Sequence, residues 1–282
     1  MRFSYLIIFT SIIISSCSSD DNPIPNATEK KSSFFEIKFD HRVGSQSLRL
    51  NTTADYQYET EGGEKFNVSK FGYYISNIIL EGPNGFTFVD SMNASANANE
   101  VSGYYHIVEG DEDSKKITLE VPEGEYNKLR FTVGIPEGGV TEGAQGGVLD
   151  LANGAWFWTW NAGYISWMIE GTAESSPFVA NDFLPNNAFA FHIGGWKNIE
   201  ESNFVNNIKT VELDLFENFT ANPVRKPSAH INFDILEVLD DVEIGGNTSV
   251  DFSNTFSVHN PKAGMPFANQ LQSAFELDHV HP

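Results

Sequence analysis

Short apolar or alternating runs closed by glycine or proline recur along most of the chain. Residues 34–39 alternate imperfectly and predict a first strand. Residues 65–80 are rich in β-formers and stop at Gly82-Pro-Asn-Gly85, a strong turn signal, with residues 86–89 returning as the partner strand. Residues 116–121 break at Pro122, and residues 128–135 stop at Pro136. Residues 189–193, 210–216 and 230–236 supply further strands. Residues 137–147, with glycines at 138, 139, 143, 146 and 147, predict a mobile loop that lacks the Gly-Lys-Ser/Thr ending of a phosphate cradle. Short helices are predicted near residues 235–239 and 267–275, but no period of 3.6 is sustained and no fixed repeat appears. The pattern predicts one all-β domain, an antiparallel two-sheet sandwich with long loops and few short helices.

One run differs in kind. Trp156-Phe-Trp158-Thr-Trp160 places three indoles at alternate positions. On an uninterrupted strand they would share one face, roughly 6.5–7 Å apart. Alone, the pattern suits a heavy core strand that continues into residues 164–170. The other reading is that the indoles serve a site.

The ends of the sequence set its expected location. One basic residue, an apolar run over residues 3–14 and then small residues make residues 1–16 a secretory signal, too short to span a bilayer as a helix. Ile14-Ser-Ser-Cys17 resembles the lipobox of bacterial lipoproteins, whose cysteine is acylated. Cys17 is the only cysteine among 282 residues, so no disulfide framework is available and acylation explains the single thiol. Residues 17–33 are polar, hold two prolines and read as a lipidated flexible tether, leaving residues 34–282 as the folded domain. Asp20-Asp21 resembles the export signal of some surface lipoproteins of Bacteroidetes. The expected location is therefore the cell envelope, anchored by lipid to the outer membrane and facing either the periplasm or the surface.

The net charge is −21, and removing residues 1–16 deletes one arginine, leaving 16 basic against 38 acidic residues, or −22. Such a surface repels nucleic acid and anionic headgroups and enriches cations. The expected contact with membrane is through the anchor alone.

No Gly-x-Ser-x-Gly elbow, His-Glu-x-x-His or Gly-x-Gly-x-x-Gly is present, so no enzyme is expected, although a hydrolase assembled from scattered Asp, Glu and His would leave little local trace. The histidines are more informative. His279-Val-His281 offers two imidazoles on one face of an extended chain, able to grip one metal or simply to form a polar tail. His192 precedes two glycines in Phe189-Ala-Phe-His-Ile-Gly-Gly195, which suits either a close backbone approach or a buried imidazole bonded to a carbonyl. His41 ends the first predicted strand; His106, His230 and His259 read as structural or surface residues. The acidic run Glu109-Gly-Asp-Glu-Asp113 lacks the spacing of an EF-hand. If copper is the metal, imidazole is a natural ligand.

An ordered set of short motifs resembles a known family. Phe39-Asp-His41-Arg-Val-Gly44, Tyr73-Tyr-Ile-Ser-Asn-Ile78, Gly124-Glu-Tyr126 before Phe131-Thr-Val-Gly134, Trp158-Thr-Trp160-Asn-Ala-Gly163-Tyr164 with Glu170-Gly171, Phe191-His192-Ile-Gly194 and Asp278-His279-Val-His281 occur in this order. Together they resemble the MbnP-like family, named for the copper-binding partner protein of methanobactin gene clusters. The resemblance implies an exported β-rich copper-binding protein. Some members are partnered with a di-haem MauG-like enzyme that oxidises a tryptophan to kynurenine, whose amine helps bind Cu(I). It implies Trp158 or Trp160 as the modification site, His41, His192, His279 and His281 as candidate copper ligands, and packing for Trp156.

The leading expectation is a non-enzymatic, lipid-anchored copper-binding protein that acquires or buffers copper at the cell envelope. The alternative is a surface lipoprotein presenting aromatic residues to a glycan or other ligand. A structural or adhesive lipoprotein with incidental histidines is a third. The arrangement of the four histidines about Trp158 or Trp160 separates these readings.

Overall fold

The computed structural model describes residues 31–53, 55–141, 143–198, 204–244, 246 and 248–281. The leader, Cys17 and the tether up to residue 30 lie outside the described residues. The strands are, in chain order, β1 (Ser32–Val43), β2 (Gln46–Ser47), β3 (Tyr58–Glu59), β4 (Lys65–Glu81) and β5 (Thr87–Val89). Then follow β6 (Tyr104–Val108), β7 (Lys116–Pro122), β8 (Gly124–Val133), β9 (Phe157–Thr159) and β10 (Gly163–Ala173). The last are β11 (Ala188–Gly194), β12 (Lys209–Ala221), β13 (Ser228–Asp234), β14 (Ser257–Val258) and β15 (Phe275–His281), with α1 (Ile235–Leu239) and α2 (Pro261–Gln270) between them.

Two sheets result. The smaller has the order β15-β13-β1, with β7 along the first half of β1 and β2 along its end. The larger runs β12-β8-β4-β10-β11-β14, with β3, β5 and β6 along β4 and β9 along β10. The all-β sandwich is as expected, but it is not purely antiparallel: β1 pairs β13, and β11 pairs β14, in parallel.

Alternation explains how the sheets meet. Phe35, Ile37, Phe39, His41 and Val43 of β1 are buried while the residues between them are more exposed. Phe71 and Tyr73 of β4, Trp167 and Ile169 of β10, and Phe233 of β13 point into the same layer. There Phe233 stacks on Tyr73 with centroids 5.4 Å apart and on Trp167 at 6.3 Å, and its edge meets Phe275 at 4.8 Å. Offset and edge-on pairs of this kind suit the ring quadrupoles and fill space at crystal-like density. The other face of β10 is also covered, by a second cluster that includes Tyr74, Leu149 and Tyr164. Burial on both faces is why β10 reads as an unbroken apolar run rather than an alternating one.

Local capping decides several boundaries. The strand predicted over 230–236 stops at Asp234, whose carboxylate accepts from Leu236 N and opens α1. α2 begins earlier than predicted, because Asn260 caps it and Pro261 occupies its first turn. Residues 275–281 are strand β15, where the pattern carried only the end of a short helix.

The tryptophan run is corrected most clearly. β9 holds only residues 157–159, and the chain reverses through a turn into Gly163, whose φ of +75° suits a residue without Cβ, so β10 returns antiparallel. Trp160 lies in that turn, and the three indoles do not share one strand face.

Phe233 is fully buried at the centre of the aromatic layer. Phe233→Ala is expected to lower the free energy of unfolding by about 3–5 kcal/mol, since it removes a buried ring and leaves a cavity. A urea titration checks this: a change below about 1 kcal/mol would mean that the layer closes over the gap.

Candidate metal centre

Facing inward, His41 is enclosed by the edges of Phe71, Tyr73 and Phe233, and its side chain is 0% exposed. Nδ1 is 2.7 Å from Glu109 Oε2, and Nε2 is 3.0 Å from the Tyr73 hydroxyl. Burial pushes the His41 pKa below its ordinary value, and the neighbouring Glu109 carboxylate only partly opposes this. Burial pushes the Glu109 carboxyl up, but His41 and Lys115 outweigh it and hold it below the usual value. Glu109, part of the acidic run, thus serves to satisfy a buried imidazole. Both nitrogens of His41 are already engaged.

His192 lies on the opposite side of the larger sheet, facing away from the core. Its Nε2 is 2.8 Å from Glu170 Oε1. The parallel register of β11 with β14 pairs Phe191 with Val258, which brings His259 beside His192 with ring centroids 4.4 Å apart. His259 Nδ1 is 3.0 Å from the Ser257 hydroxyl. The hydrogen bond with His192 lowers the Glu170 pKa against burial, and burial lowers that of His259. Each imidazole therefore has one nitrogen held by an oxygen. In the tautomers that donate to Glu170 and Ser257, His192 Nδ1 and His259 Nε2 carry free lone pairs.

The tryptophans distribute around this outer face. A Cβ at Gly194 would come within 3.1 Å of the Trp158 ring, so Trp158 lies against β11 two residues from His192. Trp156 covers Gly72 in the same way, with its ring centroid 4.4 Å from His106 and the Lys70 ammonium 5.0 Å from its centre. Trp160 instead packs on Phe157 at 4.8 Å, beside a small cavity that Tyr164 also lines. Expected to be only packing, Trp156 is the indole seated on a histidine ring.

His279 and His281 sit on the outer face of the smaller sheet. Their Nε2 atoms are 3.1 Å apart, and His279 Nδ1 is 2.6 Å from Asp278 Oδ2. His230 stacks on His279 with centroids 4.3 Å apart, and one ligand atom from each of His230, His279 and His281 lies within 4.8 Å of the others.

The four histidines singled out in the sequence therefore do not converge. His279 and His281 come together; His41 is in the inter-sheet core, and His192 lies on the larger sheet. Sequence reasoning missed His259 and His230, because each joins its partner across a strand pairing between distant segments. The only local signal was their position in or just after short alternating runs.

The family model described as MbnP matches residues 32–260. Among solved structures, MbnP from Methylosinus trichosporium is similar in fold, at 15% identity and a TM-score of 0.50, covering 78% of this chain and 83% of that one. No curated protein sequence matches the chain.

Two imidazoles, the buried His41 and the half-buried His106, make stability pH-dependent. Burial, helped by the Lys70 charge, lowers the His106 pKa from 6.5 to about 4, and burial lowers that of His41 in the same direction. As pH falls through 6.5 the unfolded chain takes up protons that the folded chain refuses, so stability is lost from there down to about pH 4. The urea midpoint is expected to fall across that window, and less steeply in a His106→Phe variant. An equal slope in the variant would show that His106 is not held neutral.

Proposed function

Since the chain belongs to the MbnP family, we propose that it is a non-enzymatic copper-binding protein that acquires or buffers copper at the cell envelope. On this reading Cys17 carries the lipid anchor, residues 1–16 direct export, and the protein is tethered to the outer membrane. The observation that carries the copper assignment is the pair His192 and His259, with rings 4.4 Å apart and one nitrogen each engaged by Glu170 or Ser257. Two imidazoles held by outer hydrogen bonds form a donor set that copper favours. Trp158, which lies over Gly194 on the same face, supports its choice over Trp160 as the residue a di-haem partner would oxidise. Copper, when bound, supplies the cargo or the redox centre. The chain supplies the two imidazoles, the Glu170 carboxylate that orients one of them and the indole that shields them from water. All these residues lie inside the matched segment.

The test is a Cu(I) titration of the purified protein beside His192→Ala and His259→Ala. Tight one-to-one binding, weakened at least tenfold in both variants, is expected. Equal binding by all three proteins would remove the copper assignment from this pair. If the protein is co-produced with its di-haem partner, intact-mass analysis should show a modification that Trp158→Phe abolishes and Trp160→Phe does not.

A further inference from the structure

We propose that His230, His279 and His281 form a second metal site, on the outer face of the smaller sheet, for a divalent first-row transition ion of the zinc type. It is separate from the pair assigned to copper, and two of its three ligands lie beyond the family-matched segment.

A strand irregularity builds the site. β15 starts with Phe275 and Leu277 directed into the core. If its alternation continued, His279 and His281 would follow them inward. The pairing of β13 with β15 slips instead: Ile231 faces Leu277, but His230 faces His279, which leaves Asp278 as an extra residue. This bulge reverses the alternation, so that Val280 packs against the core while Asp278, His279 and His281 point out. It re-aims two imidazoles onto the face where His230 already stands.

The local chemistry agrees with a metal. The two Nε2 atoms are 3.1 Å apart. Two nitrogens bound to one tetrahedral zinc at about 2.0–2.1 Å would stand about 3.3 Å apart. In the tautomer in which His279 Nδ1–H donates to Asp278, Nε2 carries the lone pair, and Asp40 stands 3.6 Å from His230 Nδ1. His230 Nε2 is buried and has no hydrogen-bond partner in the protein. Lys38, opposite His230 in the register, is paired with Glu36 at 3.2 Å. Three imidazoles without sulfur, open to water on one side, suit a divalent ion that keeps solvent ligands better than they suit Cu(I).

Co²⁺ is the probe, because its visible d–d bands report four-coordinate nitrogen ligation and Zn²⁺ displaces it. The purified protein should bind one Co²⁺ in a tetrahedral-type spectrum that Zn²⁺ abolishes. His281→Ala, on an exposed residue, and His230→Asn should weaken binding about a hundredfold, as expected when one of three ligands is lost. Asp278→Asn should weaken it roughly tenfold, the low end of an outer-shell loss. His192→Ala should leave Co²⁺ binding unchanged while it lowers Cu(I) binding, so either assignment can fail alone. Zn²⁺ should also raise the thermal midpoint of the wild type but not of His281→Ala. Unchanged Co²⁺ affinity in His281→Ala and His230→Asn, or loss of binding in His192→Ala, would overturn the proposal.

Discussion

The aromatic layer between the two sheets is the constraint on which the rest of the protein depends. Phe233 touches rings from both sheets, including Tyr73, Trp167 and Phe275, so neither sheet can slip by one residue without driving that layer into water. Once inward positions are set, outward positions follow by alternation except where a bulge shifts it, as in β15. Lys70 and Gly72 on β4, Glu170 on β10, and His192 and Gly194 on β11 are thereby placed on one outer surface, and His230 on another. The chemistry of the protein is written on the faces that the core does not use.

His41 is the exception that shows the strength of the rule. It occupies an inward position among phenyl rings, where an unpaired imidazole would be costly. Glu109 and Tyr73 take up its two nitrogens, and Lys115 in turn holds Glu109 at 3.2 Å. The polar network ties the loop after β6 to the inter-sheet core. Its strand-end position is unremarkable, and only the family resemblance makes it a candidate ligand; in the structure Glu109 and Tyr73 engage both of its nitrogens.

Much of the fold was legible. Runs of β-formers bounded by glycine and proline located β1, β4, β7, β8, β11 and β12 within a few residues, because strand alternation and turn chemistry are local properties. β14 was too short to register, and β9 was merged with β10 because a tight reversal at Trp160 leaves no apolar gap. Residues 275–281 do not read as a strand, only as the end of a short helix followed by a histidine pair that could grip a metal or form a polar tail, since their partner β13 lies far away in sequence. For the site, Trp158, His192 and the His279–His281 pair were visible as residue types. Their partners His259 and His230 were not, because each meets its neighbour only through a non-local register.

The chain alone determined what each segment could be: extended, aromatic-rich, acidic, with imidazoles at positions that alternation could bring to a common face. Only the tertiary structure decided which imidazoles meet. The parallel pairing of β11 with β14 puts His259 against His192, and the bulge in β15 turns His279 and His281 out toward His230. Both are consequences of register between segments remote in sequence. Register follows from the shape of the shared core, not from any local preference of the residues it carries to the surface.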